Sequence, residues 1–250
     1  MEYDGTNYYG FQLQANQPTI QGEIEQSWYK LTGESVRVMS ASRTDTGVHA
    51  ERQVVSINTN SSLPIHTFVD GLNHYLPFDI AIKAAYNVAD TFNIRSDAIS
   101  REYNYYILNS QTRSPIRRSF ACFVTGALDI EVMNQACQHL IGEHDFASFT
   151  ILAEVKNWST VRRVYKAEVR KQEGLVIFNI VANSYLRHQV RNIAGTLIRV
   201  GLGKITIDEF HNIVEAGRPG LAGPRAPACG LCLMQIKYPI LFREDTSGDN

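Results

Sequence analysis

One short segment concentrates the side chains that could do chemistry. Residues 41–52 read Ala-Ser-Arg-Thr-Asp-Thr-Gly-Val-His-Ala-Glu-Arg, which places Arg43, Asp45, Gly47 and His49 within seven residues. The neighbouring Arg43 favours the ionised form of Asp45, and Gly47 permits a turn that brings the backbone close to a ligand. A fixed, ionised carboxylate could act as a nucleophile or a general base. The same residues also fit an ordinary turn in which Asp45 only caps the bend.

Asp-Thr-Gly is also the signature of aspartic proteases, whose chemistry needs two carboxylates that share a proton. The chain contains a single Asp-Thr-Gly, so such a site would require a dimer. Arg43 would oppose proton sharing, and a helix-rich pattern does not fit an all-β protease. The sequence therefore argues against this class.

The cysteines predict neither a metal site nor a redox site. Cys229 and Cys232 form one close pair, whereas a structural zinc site usually takes its ligands from two such pairs. The pair opens a strand-like run, whereas a redox motif should lie between a strand and a helix. The sequence also contains no P-loop and no dinucleotide-binding motif. We therefore expect no cofactor and no metal, and a metal or redox protein remains only as a competing hypothesis.

Composition narrows the class of protein without deciding it. The 250 residues include 24 basic and 25 acidic side chains, for a net charge of −1. Nucleic-acid-binding proteins often carry a basic excess, but phosphate contacts depend on local clusters of charge. No apolar run approaches the roughly 20 residues of a membrane span, and no targeting signal is evident. We therefore expect a cytoplasmic protein.

The elements that must position Asp45 repeat a strand-helix-strand-strand-helix-strand order. Ile20, Ile24, Trp28 and Leu31 recur at helical spacing before Gly33, which predicts a helix that ends there. In the first half, strands are predicted at 36–40, 53–58 and 79–86, and a second helix from 64. In the second half, strands are predicted at 102–108, 119–124, 162–170, 175–182 and 231–238, and helices at 129–141, around 190–200 and from 206, where Thr206 and Glu209 form a capping box.

Two repeats of the strand-helix-strand-strand-helix-strand order predict an α+β fold of two ferredoxin-like (RRM-like) halves. Their antiparallel sheets would join into one larger mixed sheet around a central cleft, a surface of the kind that RNA-recognition modules use. We expect an N-terminal subdomain at residues 1–97, a C-terminal subdomain at 98–242 and a loose tail at 243–250.

Motifs in order along the chain resemble the TruA-type tRNA pseudouridine synthases. The central motif is Arg43-Thr44-Asp45-Thr46-Gly47-Val48-His49-Ala50. The others are Glu2–Thr6, Tyr8–Gln12, Asn73 with Leu76–Ile80, Tyr103–Tyr105, Gly142–Phe146, Val190–Ile193 with Gly195, and Ala226–Ala228 with Gly230–Leu233. Together they span residues 2 to about 238, and their order is far more specific than any single motif.

The resemblance implies a cofactor-independent isomerase that converts uridine to pseudouridine at positions 38, 39 and 40 of the tRNA anticodon arm. Asp45 matches the catalytic aspartate. Whether it attacks the sugar, attacks the base or removes a proton stays open. The resemblance also implies a homodimer. The competing hypothesis is an RNA-binding paralogue that has lost activity.

Other roles follow from the resemblance, position by position. Tyr103 matches the tyrosine that packs against the target base, although a tyrosine of the sheet core would look the same. Arg191 matches the basic residue that pairs with the catalytic aspartate. Leu231 matches a hydrophobic residue of the pocket, and a buried strand leucine explains it equally well. We expect Arg43 to orient Asp45 and to help displace the stacked base.

RNA contacts are expected on local basic clusters. Arg187 and Arg191 lie four residues apart, which predicts one shared helix face. His49 could touch phosphate or cap its own loop, and we favour the structural role. The candidate contacts are His49, Arg117, Arg162, Arg163, Arg187 and His188.

Overall fold

The structure is a computed structural model that describes residues 1–151 and 159–239. The chain divides into two compact units, Met1–Ile99 with Met234–Asn250 and Ser100–Leu233. The described residues form helices packed on largely antiparallel sheets, so the predicted α+β class is confirmed. The predicted tail at 243–250 lies outside the described residues. No helix in the described ranges has the length and apolar character needed to cross a bilayer.

The first unit contains two helices and short strands. They are β1 (Glu2–Tyr3), α1 (Ile20–Thr32), β2 (Met39–Ser40), β3 (His49–Ala50), β4 (Val55–Ser56), α2 (Ile65–Tyr75) and β5 (Ile80–Ala81). β1 pairs antiparallel with both β3 and β5, and β2 pairs with β4. Trp28 of α1 stacks on Phe68 of α2 with ring centroids 4.9 Å apart, so the two helices share one apolar core.

Helix α1 begins and ends where its sequence requires. The Thr19 side chain accepts a hydrogen bond from the Gly22 N–H and caps the helix start. Gly33 has φ of 76° and bonds back to the Tyr29 carbonyl, which is the left-handed ending that glycine permits. The predicted stop at Gly33 is confirmed.

The strands predicted at 36–40, 53–58 and 79–86 are too long. Only two residues of each form a strand. In the segments 36–40 and 79–86, side chains bond backbone groups next to the strand. Glu25 Oε1 accepts the Val38 N–H at 3.0 Å. The Asn73 side chain bonds both the N–H and the carbonyl of Ile82, at 2.7 and 2.8 Å.

The second unit has longer strands. They are β6 (Ser100–Asn109), β7 (Cys122–Val124), β8 (Gly142–Asp145), β9 (Val161–Gln172) and β10 (Leu175–Ala182), followed by the first residues of β11 (Leu231–Lys237). β6, β10, β9 and β8 lie side by side in antiparallel pairs, while β7 runs parallel to β6 and makes the sheet mixed. The helices are α3 (Ile130–Gln138), α4 (Gln189–Gly201) and α5 (Ile207–Glu215).

Two predictions about the second unit's helices have opposite outcomes. The capping box of Thr206 and Glu209 is confirmed at the start of α5. The shared helix face of Arg187 and Arg191 is wrong, because α4 begins only at Gln189. His188 has φ of 65°, a left-handed conformation that interrupts the helical path and leaves Arg187 in the preceding turn.

Candidate active site

Asp45 lies in the loop between β2 and β3 of the first unit and is partly exposed. The residue before it is anchored in the interior. Thr44 Oγ1 shares a hydrogen bond of 2.8 Å with the Tyr3 hydroxyl, and the Thr44 carbonyl accepts the Phe11 N–H at 3.0 Å. Gln53 Nε2 donates to the Ser42 carbonyl at 2.7 Å. The loop is therefore held at its base while Asp45 reaches the surface.

Backbone hydrogen bonds close the turn that follows Asp45. The Asp45 carbonyl accepts the Val48 N–H at 3.1 Å, and the Gly47 N–H donates to the Tyr8 carbonyl at 3.3 Å. Gly47 has φ of 76°, which a residue with a side chain rarely adopts. Backbone groups therefore close this turn, and a chemical role for the Asp45 carboxylate stays a prediction.

His49 is a buried part of the loop's frame, with 5% of its surface exposed. Its Nδ1 lies 3.1 Å from the Gly5 N–H and 3.1 Å from Asp4 Oδ1. The nitrogen accepts from Gly5 when unprotonated, or donates to Asp4 when it carries a proton. This burial supports the structural role expected for His49 over a phosphate contact.

Arg43 is exposed and lies two residues before Asp45 in the same loop. Together with Arg37 and Arg95 it lines a cavity of about 490 Å³. The orienting role expected for Arg43 stays a prediction.

The other three residues that the resemblance singled out lie in the second unit. Tyr103 of β6 is 5% exposed, and its ring meets Tyr185 edge-on at a centroid distance of 5.2 Å. Leu231, the first residue of β11, is buried. Arg191 lies in the first turn of α4, and its Nε donates to the Ala226 carbonyl at 2.9 Å. The guanidinium of Arg191 is thus held by the segment that leads into β11.

The candidate RNA contacts of the second unit differ in how firmly they are held. Arg162 Nη1 bonds the carbonyls of Ser159 and Val161 at 2.8 and 2.7 Å. Arg163 is 3.7 Å from Glu143 at the surface, and Arg117 Nη1 is 3.4 Å from the Glu173 carbonyl. In the turn before α4, Arg187 is exposed and His188 Nδ1 lies 2.7 Å from Arg225 Nη1.

The close cysteine pair has separate environments. Cys229 Sγ points to the Ala121 carbonyl at 3.7 Å, whereas Cys232 is buried and contacts the Leu233 carbonyl at 3.8 Å. Burial raises the pKa of the Cys229 thiol. In the part of the chain that the structure describes, no three side chains of His, Cys, Asp or Glu converge as a metal site would require.

Sequence reasoning missed the frame around Asp45. It did not assign roles to Gly10 or Gln53, nor to Arg37 or Arg95. The signal for Gly10 is present, because a glycine beside aromatic residues in a loop indicates close backbone approach. No local signal marks Gln53, whose partners lie far away in the sequence.

A partly exposed carboxylate in a loop that is held at its base could serve acid–base or nucleophilic chemistry. A family model described as tRNA pseudouridine synthase matches residues 1–95 and 136–239. Similar proteins named tRNA pseudouridine synthase A occur in several bacteria. One from Geotalea daltonii is 44% identical over 238 residues, which is 95% of this chain and 97% of that protein.

Two further relatives carry the same name. The one from Roseiflexus castenholzii is 44% identical over 96% of this chain and 89% of its own length. The one from Francisella tularensis strain SCHU S4 is 40% identical over 96% of this chain and 92% of its own length. This chain belongs to the tRNA pseudouridine synthase family.

Proposed function

We propose that this chain is an isomerase that converts uridine to pseudouridine in tRNA, at one or more of positions 38, 39 and 40, with Asp45 as the catalytic carboxylate. Membership of the family supports the reaction and the RNA substrate. The single observation that supports Asp45 is its position: partly exposed, in a loop whose neighbouring residues are fixed from three sides. The positions in the anticodon arm rest on the resemblance of the motifs.

The reaction needs no net oxidation and no second substrate. The bond between ribose C1′ and base N1 breaks, the base turns, and C5 bonds to C1′ while a proton leaves C5 and one is gained at N1. A carboxylate can serve at two points, as the nucleophile that detaches the base or as the base that removes a proton. The fixed backbone around Asp45 suits either role, because the residue that carries the carboxylate is positioned before the substrate arrives.

The substrate must leave its stack before Asp45 can reach it. Flipping a nucleotide out of a stem costs a few kcal/mol, and a guanidinium can fill the vacancy and bind phosphate. The exposed Arg43 is our candidate for this task. For Tyr103, Arg191 and Leu231 we propose the roles that the resemblance implies: stacking on the base, charge for the aspartate, and hydrophobic contact with the base.

The test compares Asp45→Asn with a matched control, Asp70→Asn. Asp70 is an exposed carboxylate on α2 in the same unit, so the control makes the same chemical change away from the loop. Unmodified tRNA is incubated with each protein, and pseudouridine is mapped and quantified. We expect Asp45→Asn to lose at least about 10³-fold in rate, as removal of a nucleophile typically does, and Asp70→Asn to match the wild type.

The outcomes separate the competing hypotheses. Equal product from wild type and Asp45→Asn would overturn the assignment of Asp45. Tight tRNA binding without any product from the wild type would instead favour the inactive RNA-binding paralogue. Thermal unfolding of each variant checks that the loss is not a loss of folding.

We also propose that the protein works as a homodimer on tRNA in the cytoplasm, as the resemblance implies. Sedimentation equilibrium across a range of concentrations tests the dimer. A monomer at the concentrations that support full activity would refute it.

A further inference from the structure

The arginine pocket is a second feature of the first unit that could bind substrate. We give this name to the cavity of about 490 Å³, which falls within the roughly 300–1,000 Å³ of typical ligand sites. It is lined by Phe11, Gln12, Leu13, Gln21, Arg37, Val38, Met39, Ser40, Arg43 and Arg95. Among these described residues, three carry a guanidinium and none carries a carboxylate, so the pocket suits an anion.

Buried polar side chains hold the walls of the pocket in place. Gln21 is 6% exposed, and both ends of its amide are bonded: Oε1 accepts the Leu13 N–H at 3.0 Å and Nε2 donates to Glu25 at 2.7 Å. Glu25 in turn accepts the Val38 N–H at 3.0 Å. Arg95, which also lines the pocket, donates its Nε–H to the Ser40 carbonyl at 3.0 Å. The pocket is therefore built by the fold and does not depend on loose surface side chains alone.

The charge of Arg37 is only weakly compensated. Its Nη1 lies 3.5 Å from Glu25, and its side chain is 66% exposed. An exposed pair at this distance contributes little to stability, and Glu25 is already engaged with Gln21 and Val38. Arg37 can therefore turn to an anionic ligand at small cost.

Position links the arginine pocket to the chemistry. Arg43 lines the pocket and is only two residues before Asp45. An anion bound in the pocket would lie beside the loop that carries Asp45. The phosphates next to a target uridine must lie in a similar place when the uridine reaches Asp45. The half-exposed side chains of Leu13 and Met39 add apolar surface against which a ribose or base can rest.

We propose that the arginine pocket binds the backbone phosphate of a nucleotide next to the target uridine, with Arg37 as a phosphate-binding residue. This inference rests on the proposed function. It adds a contact outside the Asp45 loop that would fix the register of the RNA strand before the base is flipped.

Arg37→Gln tests the proposal, with Arg170→Gln as the matched control. Arg170 is also an arginine paired with a glutamate, Glu168, at 2.7 Å, but it lies in the second unit and outside the pocket. Binding of an unmodified anticodon stem-loop RNA is measured between 50 and 200 mM salt, and single-turnover pseudouridine formation is measured with the protein in saturating excess over the RNA. Salt is varied because phosphate contacts weaken as salt rises. Each lost contact lowers the slope of log affinity against log salt concentration by about 0.7 to 0.9.

We expect Arg37→Gln to weaken RNA binding by roughly 5- to 20-fold. We also expect the slope of log affinity against log salt concentration to fall by about 0.7 to 0.9, the value for one phosphate contact. Arg37→Lys should keep the slope, because it keeps the charge. Saturating protein should restore most of the single-turnover rate, and Arg170→Gln should behave as the wild type. Arg37→Gln with the affinity and slope of Arg170→Gln would overturn the proposal.

A second arm distinguishes RNA from free phosphate. If inorganic phosphate raises the melting temperature of wild type but not of Arg37→Gln, while both bind RNA equally, the pocket is not an RNA site and the proposal fails. The proposed function fails on a different result, namely absence of pseudouridine in the wild-type product. Normal product from the wild type together with unchanged binding by Arg37→Gln would refute the arginine pocket alone.

Discussion

Gly10 lies against the backbone of the loop that carries Asp45, which makes Gly10→Ala a sharp probe of that loop. Gly10 has φ of 90°. A Cβ at this position would lie 2.8 Å from the Thr44 carbonyl oxygen, 3.2 Å from the Asp45 carbonyl carbon and 3.2 Å from the Thr46 nitrogen. All three are backbone atoms, so no flexible side chain can move aside. The added methyl must push the loop itself.

The structure gives the size of the effect. A non-glycine residue in a left-handed conformation costs about 1–2 kcal/mol, and the contact with Thr44 adds to this. Relief of that contact requires a shift of a few tenths of an ångström. Because a misplacement of about 1 Å can cost roughly 10²-fold in rate, we expect Gly10→Ala to lower kcat about tenfold with little change in KM. We expect a loss of about 3 kcal/mol in stability, or roughly 6–12 °C in Tm.

Gly33→Ala is the matched control. Gly33 also has positive φ, 76°, but a Cβ there meets nothing within 4 Å. It therefore carries the backbone penalty without the contact, and we expect a loss of about 1 kcal/mol with unchanged kcat. The assay is steady-state pseudouridine formation combined with thermal unfolding. A Gly10→Ala protein with wild-type kcat, or one no less stable than Gly33→Ala, would refute the claim that Gly10 positions the Asp45 loop.

Three further substitutions test separate parts of the structure. His49→Ala removes the acceptor of the buried Gly5 N–H, so we expect a loss of about 1–3 kcal/mol and a lower kcat; a raised KM for tRNA at unchanged kcat would instead show a phosphate contact. Burial, assisted by the hydrogen bond to Asp79, raises the pKa of the Tyr8 hydroxyl above its ordinary value. The protonated hydroxyl therefore stabilises the folded protein fully below about pH 10, and this stabilisation declines as the pH rises further. Urea unfolding should therefore show a difference between wild type and Tyr8→Phe at pH 8 that shrinks above pH 10, and a constant difference would contradict this assignment. Thr206→Ala should lower stability by about 1 kcal/mol through loss of the helix cap and leave pseudouridine formation unchanged, whereas a loss of activity would contradict a purely local role.

Local patterns predicted the elements whose causes are local. The end of α1 at Gly33 and the capping box of Thr206 and Glu209 depend on residues within a turn of each other, and β10 has the predicted bounds, Leu175–Ala182. Patterns failed where a distant side chain occupies the backbone, as Asn73 does at Ile82. The spacing of Arg187 and Arg191 misled for a related reason. Periodicity cannot reveal that His188 leaves the helical conformation.

The candidate site likewise combines features that the local sequence predicts with contacts that depend on distant residues. The residue types of the Asp45 loop suggested its chemistry, but several of the contacts that hold the loop come from the opening segment of the chain. Tyr3 bonds Thr44 across a separation of 41 residues, and the Gly5 N–H reaches His49 across 44. No periodicity encodes such a pairing. Only the order of the motifs along the chain indicated that these segments belong together.

Two glycines within the motifs allow close backbone contact between segments that lie apart in the sequence. A Cβ on Gly5 would lie 2.0 Å from the Val48 carbonyl oxygen, so the opening segment can pack on the Asp45 loop only if this residue is glycine. The second unit repeats the arrangement, since a Cβ on Gly195 of α4 would lie 2.0 Å from the Pro224 carbonyl oxygen. Arg191 also bonds this segment, which precedes β11, because its Nε–H donates to the Ala226 carbonyl. In the first unit a glycine therefore lets the opening segment pack on the Asp45 loop, and in the second a glycine lets α4, which carries Arg191, pack on the segment before β11.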